Sequence, residues 1–137
     1  MDDQTSWLLA QGEVDGRPIY LRARDPSQTS ISQERSFVVV ASLNYPVADA
    51  LQAPSVDDYE KIEAFEANVF DALGGDPELV FVETGSGVIR YFAYTSDADQ
   101  TFAAITESAP FEIVDFDSAE DPEWQMYHRR VAKLVGG

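Results

Sequence analysis

Apolar residues recur along the chain with two spacings, one typical of strands and one typical of helices. The strand pattern, rich in β-branched and aromatic side chains, occurs in residues 6–13, 17–24, 36–45, 78–83, 88–95 and 111–116. Asp15-Gly16 lies between the first two of these runs, and residues 84–87, with two glycines, lie between the fourth and fifth. Glycine accepts the positive φ that tight hairpin turns need. The pattern therefore predicts two β-hairpins.

Helical spacing predicts a first helix that begins after Ser55, because apolar residues three and four positions apart share one helix face. Ser55 fits the N-cap, with Asp58 three residues later, and Gly74-Gly75 fits a left-handed C-cap. The apolar face of this helix consists of Val56, Tyr59, Ile62, Phe65, Val69 and Leu73.

Two further helices are predicted in the second half of the chain. Ser96 fits the N-cap of a short helix over residues 97–107. Asp121 and Pro122 fit the N-cap and first position of a last helix, because the first turn leaves unpaired the N–H that proline lacks.

The order of these elements is β-β, then β-α-β-β-α-β, then α, and its six central elements match the split β-α-β motif. We therefore predict an α+β fold, with a ferredoxin-like split β-α-β core, an added N-terminal β-hairpin and a C-terminal helix. Residues 37–44 and 88–95 would be the central strands, and the two internal helices would cover one sheet face. The hairpin, the last helix or a second copy would cover the other. The 137 residues suit a single domain over residues 1–137.

Charge and composition exclude several classes of function. The chain has 25 acidic and 9 basic residues, a formal charge of −16, one histidine and no cysteine. Such a charge disfavours direct binding to nucleic acid or to anionic membranes, because both depend on basic side chains. Without cysteine there is no thiolate zinc site, iron–sulfur cluster or cysteine nucleophile, and one histidine makes no metal cluster. We therefore expect no cofactor, no metal and no catalytic residue.

The sequence also indicates where in the cell the protein is located. No apolar stretch approaches the roughly 20 residues that a membrane span requires. Acidic residues stand near the N-terminus, where a signal peptide has basic ones. We expect a cytoplasmic protein, whose acidity reflects either a basic partner or a salt-rich cytosol.

The first predicted helix carries acidic side chains opposite its apolar face. A basic protein partner would be attracted to them by complementary charge. A solvated outer face is the simpler alternative. The candidate partner-binding residues are Asp57, Glu60, Glu63 and Glu66.

Arg90 stands within an otherwise apolar strand, where a guanidinium must find a partner because burying an unpaired charge is costly. One interpretation is a structural salt bridge to a carboxylate. The other is a pocket in which Arg90 binds an anionic small molecule bidentately. The aromatic residues considered with it are Tyr91, Tyr94, Trp124 and Tyr127, for which core packing is the alternative role.

Four segments together resemble a known family. They are Trp7, residues 12–18 (GEVDGRP), residues 87–97 (GVIRYFAYTSD) and residues 121–127 (DPEWQMY). The chain is similar over nearly its whole length to the family catalogued as domain of unknown function 695. The resemblance implies a bacterial protein that forms one complete domain, with no established activity, cofactor or catalytic residue. Some relatives are joined to a domain of the type that regulates ribonuclease E.

These observations favour a protein-interaction or regulatory module that binds a basic protein partner. The alternative is a domain that binds a small anionic ligand, or a weak enzyme, that uses a pocket around Arg90. A homodimer that covers an open sheet face is a third hypothesis. An enzyme is the less favoured class.

Overall fold

The computed structural model describes residues 7–14, 16–24, 35–46, 55–70, 77–85 and 87–135. Within these ranges the strands are β1 (Trp7–Val14), β2 (Arg17–Arg24), β3 (Phe37–Asn44), β4 (Glu78–Gly85), β5 (Val88–Thr95) and β6 (Glu112–Glu120). The helices are α1 (Val56–Phe70), α2 (Ala98–Ser108) and α3 (Gln125–Val135). The predicted order of elements is confirmed.

All the strands pair antiparallel in one six-stranded sheet, in the order β1-β2-β4-β5-β3-β6. Val14 pairs with Arg17 in the first hairpin, and Gly85 pairs with Val88 in the second. Each turn contains a glycine with positive φ, 79° at Gly16 and 84° at Gly87. Both predicted hairpins are therefore confirmed.

The predicted fold class, a ferredoxin-like split β-α-β core with an added hairpin and a C-terminal helix, is wrong. Residues 20–23 of β2 pair with residues 81–84 of β4, so the N-terminal hairpin continues the sheet instead of lying outside a separate core. The centre of the sheet is β4 and β5, not residues 37–44 with 88–95. The architecture is β-rich, one continuous antiparallel sheet with helices on both faces.

Alternate residues of each strand point to opposite faces, and this alternation divides the core into two clusters. On β5, Ile89, Tyr91 and Ala93 lie in the cluster under α1 and α2. Phe92 and Tyr94 lie in the cluster under α3. The last helix therefore covers the second face, which is one of the three coverings considered from the sequence.

The first helix begins as predicted, because the N–H of Asp58 donates to Ser55 Oγ at 3.2 Å. Val56 and Tyr59, assigned to its apolar face, are exposed, at 76% and 44%. Leu73 and the predicted Gly74-Gly75 cap lie outside the described residues.

The starts of the other two helices differ from the prediction. Asp97, not Ser96, caps α2 and accepts a hydrogen bond from the N–H of Gln100. The last helix begins at Gln125, because Trp124 has a φ of 57° that interrupts helical geometry after Pro122.

Candidate functional site

Three of the residues predicted to contact a ligand fasten α3 to the sheet. The Trp124 ring stacks on Tyr94 with ring centroids 4.3 Å apart, and its indole N–H donates to the Arg35 carbonyl at 3.0 Å. The Tyr127 hydroxyl donates to the carbonyl of Arg24 at 2.6 Å. These three rings are buried in the core under α3, and their polar groups bond within the protein.

Asp121 completes this attachment. Its Oδ2 accepts hydrogen bonds from the Tyr94 hydroxyl at 2.6 Å and from the Met126 N–H at 2.9 Å, and its Oδ1 accepts from Gln125 N–H. Partial burial favours the neutral acid, but the three hydrogen bonds and the charge of Arg129 lower the pKa of Asp121 below its ordinary value. The D-P-x-W-x-x-Y segment therefore joins helix to sheet.

Arg90 pairs with a carboxylate on the neighbouring strand. Its Nη1 donates to Glu83 Oε1 at 3.2 Å, and its Nε donates to Ser42 Oγ at 3.0 Å. Arg130 of α3 contacts the other Glu83 oxygen at 2.9 Å, with its guanidinium 4.3 Å from the Phe92 ring centroid. These contacts support the structural salt bridge, one of the two interpretations of Arg90. Its role as a ligand contact stays a prediction.

The structure does not gather the five predicted ligand residues around one cavity. Tyr91 points to the sheet face opposite Arg90, where its ring packs against Phe65 and Phe70 with centroids 5.4 and 5.7 Å away. Arg90 is separated from Tyr94 by four residues of strand, which is about 13 Å. A shared pocket around Arg90 therefore has no geometric support among the described residues.

A groove of about 290 Å³ lies on the other face, between α1 and the strands β2, β4 and β5. We call it the α1 groove. Its lining residues are Tyr20, Arg22, Tyr59, Ile62, Glu63, Glu66, Thr84 and Ile89.

The sheet register and the helix periodicity together build the α1 groove. Tyr20 pairs with Thr84, and Thr84 pairs with Ile89, so the three form one row across the strands on the same face. On α1, Tyr59 and Glu63 are four residues apart, and this spacing places both on the side of the helix that faces this row.

The charges of the α1 groove are unevenly paired. Arg22 Nη2 lies 2.6 Å from Glu66 Oε2, and the Glu66 side chain is only 16% exposed. Glu63 is exposed and forms no ion pair with any described residue. Arg22 therefore offsets Glu66, and the Glu63 carboxylate is left as the unmatched charge at the rim.

Behind the ion pair lies the Tyr91 hydroxyl, which is buried near Glu66 and has no hydrogen-bond partner within 3.5 Å among the described residues. Burial and the adjacent negative charge of Glu66 raise the pKa of Tyr91 above its ordinary value. The hydroxyl therefore stays protonated.

We expect Tyr91→Phe to leave the free energy of unfolding unchanged or to raise it by up to about 1–2 kcal/mol, because it removes a buried donor that makes no bond. The matched control is Tyr94→Phe, which removes a hydroxyl that donates to Asp121 and is expected to cost about 1–2 kcal/mol. Urea denaturation of both variants measures the difference. Equal losses would show that the Tyr91 hydroxyl is hydrogen-bonded after all.

The structure divides the predicted partner-binding residues. Glu63 and Glu66 line the α1 groove, whereas Asp57 and Glu60 are exposed on α1 outside it. Tyr20 and Arg22 of β2 were not predicted as site residues, because β2 reaches the groove only through its pairing with β4. The one available signal was the alternation of Tyr20 and Arg22 on one side of a predicted strand.

Comparison with known proteins gives a family. The family model described as "Family of unknown function (DUF695)" matches residues 5–130. The chain belongs to this family. The resemblance predicted from the sequence motifs is thereby confirmed. No curated protein and no solved structure matches this DUF695 chain.

Two further features concern the described ranges. No group of three or more acidic or histidine side chains converges there as a metal site would require. In the same part of this DUF695 chain, no helix is long and apolar enough to cross a membrane.

Proposed function

We propose that this DUF695 chain is an interaction module that binds a basic segment of a partner protein in the α1 groove. The observation that carries the proposal is the composition of the groove, in which the exposed Glu63 carboxylate stands beside two tyrosine rings over an apolar floor, while Arg22 offsets the charge of Glu66. A lysine or arginine side chain matches this arrangement. Its charge pairs with carboxylate and its stem covers apolar surface, while an aromatic face adds cation–π attraction.

The size of the groove supports an anchoring side chain over a cofactor. A volume of about 290 Å³ is at the lower limit of small-molecule pockets, which hold roughly 300–1,000 Å³. Ile62 and Ile89 provide the apolar contact for an aliphatic stem. One long side chain fits within such a groove, and the rest of the partner segment would lie along α1.

The charge outside the groove supports the same partner class. Asp57 and Glu60 are exposed on α1, and the chain has a formal charge of −16. A field of one sign accelerates the encounter with an oppositely charged partner and weakens as salt screens it. The absence of direct nucleic-acid binding is a further part of this proposal, supported by that charge. A cytoplasmic location is part of the same proposal.

We expect the double variant Glu60→Gln/Glu63→Gln to bind fluorescein-labelled oligolysine about three- to tenfold more weakly than the unchanged protein at low salt, because two partner-facing charges are lost. The matched control, Asp99→Asn/Glu107→Gln, removes two exposed charges from α2, away from the groove. Fluorescence anisotropy gives both affinities. Equal weakening by the two double variants would mean that oligolysine responds only to net charge, and the proposed site would be rejected.

A further inference from the structure

We infer that the outer edge of β6 binds an extended segment of a protein partner as an added antiparallel strand. The inference goes beyond the α1 groove, because β6 lies at the opposite end of the sheet from β1 and β2. Strand β6 pairs with β3 along one side, and no other strand in the described ranges pairs with its second side. An edge of this kind presents main-chain donors and acceptors that an added strand satisfies.

The two faces of β6 differ in chemistry, and this difference specifies the partner. Asp115 pairs with Ser42, and Asp117 pairs with Val40, so both acidic side chains point to the face that carries α3. Both are exposed, as is Glu112 two pairs farther along the same face. An added strand therefore places alternate residues opposite a row of carboxylates.

Between these two aspartates, the opposite face of β6 carries an apolar side chain. Phe116 packs against the core under α1 and α2. Its ring centroid lies 4.2 Å from the ring centroid of Phe102 of α2. Phe102 is 39% exposed, so the ring pair reaches the surface beside the edge strand. The intervening residues of an added strand would cover these rings. The partner segment thus alternates basic and apolar residues.

A second copy of this chain meets like charges at the same edge in two registers, those centred on Phe116 and on Asp117. An antiparallel pairing of two β6 strands centred on Phe116 sets Asp115 of one copy opposite Asp117 of the other. A pairing centred on Asp117 sets that residue opposite itself. Like charges directly opposite each other destabilise a strand pair, whereas opposite charges contribute roughly 0.2–1 kcal/mol each. Charge complementarity therefore selects a basic partner strand.

The test uses two short peptides of identical composition, one with lysine alternating with valine and one with the lysines grouped. We expect the alternating peptide to bind about fivefold or more tightly than the grouped one, and to slow hydrogen exchange of those amides within residues 115–119 that point away from β3. Asp115→Asn/Asp117→Asn should weaken the alternating peptide about fivefold and remove the protection at β6, whereas Glu60→Gln/Glu63→Gln on α1 should leave that protection unchanged.

Three outcomes would overturn the inference. Equal affinities of the two peptides would show that only charge is recognised. Peptide binding without protection of residues 115–119 would place the contact elsewhere on the protein. A dimer in light scattering, with the same amides protected in the absence of peptide, would show that the edge pairs with a second copy. Because the α1 variant is measured in the same experiment, failure at β6 is distinguishable from failure of the proposed groove.

Discussion

Replacing Trp124 by alanine is expected to lower the free energy of unfolding by about 3–5 kcal/mol, the range for removal of a fully buried aromatic side chain. Trp124 is completely buried, stacks on Tyr94 and donates its indole N–H to Arg35. The substitution therefore leaves a cavity between α3 and the sheet and removes the hydrogen bond to the Arg35 carbonyl. Urea denaturation, followed by circular dichroism, measures the loss.

A loss of this size approaches the total stability of a small domain, so a milder variant is needed beside it. Trp124→Phe keeps a ring over Tyr94 and removes the indole N–H bond, with an expected cost of about 1–2 kcal/mol. Phe102→Ala, at an exposed ring, is the control and should cost less than Trp124→Ala. A loss below about 1 kcal/mol for Trp124→Ala would contradict the role of this residue in fastening α3.

Asp121→Ala is expected to cost about 2–4 kcal/mol near neutral pH, because it removes the cap of α3 and the acceptor of the buried Tyr94 hydroxyl together. The pKa of Asp121 is lower in the folded protein than in the unfolded chain. The native state consequently binds fewer protons, and the contribution of this carboxylate is complete above the unfolded pKa. It is lost as the pH falls through the folded pKa.

Asp121→Asn isolates that pH dependence, since asparagine retains a capping oxygen but does not titrate. We expect the stability advantage of the unchanged protein over Asp121→Asn to be larger at about pH 6 than at about pH 3, in equilibrium urea denaturation. The comparison cancels the titration of the other acidic residues, which is the same in both proteins. A constant difference across this range would mean that Asp121 does not titrate with a lowered pKa.

Local sequence signals predicted the elements of this fold but not their assembly. Asp15-Gly16 identified a hairpin, and Ser55 identified the start of α1, because each depends on neighbours within a few residues. The pairing of β2 with β4 joins residues about 60 positions apart, and no local pattern encodes it. Because of this long-range pairing, the N-terminal hairpin is part of the sheet and not an addition to a separate core.

The sequence predicted some residues of the candidate site and missed others. Glu63 and Glu66 were identified by their place on an amphipathic helix, which is a local property. Tyr20 and Arg22 were missed, because they join the α1 groove through that same long-range pairing of β2. Trp124 shows another limit, since neither its positive φ nor its stacking on Tyr94 could be predicted from the neighbouring Pro122.

The acidic surface of the molecule has two separate parts with different expected uses. On α1, carboxylates stand beside a groove that holds one side chain. On β6, carboxylates line an open strand edge that would take an extended segment. A partner that used both surfaces would have to reach from the groove over β2, β4 and β5 to the outer edge of β6, which is two to four strand spacings of about 4.8 Å each.

The most direct measurement is an NMR titration of the isotope-labelled protein with capped lysine, N-acetyl-lysine methylamide, and with its neutral norleucine counterpart. These probes are too small to pair along a strand edge, so they report on the α1 groove alone. The account predicts saturable shifts of the amides of Tyr20, Tyr59, Glu63 and Thr84 with the lysine probe, and much smaller shifts with norleucine. Unchanged groove signals, or equal shifts with both probes, would contradict the claim that this groove binds a basic side chain.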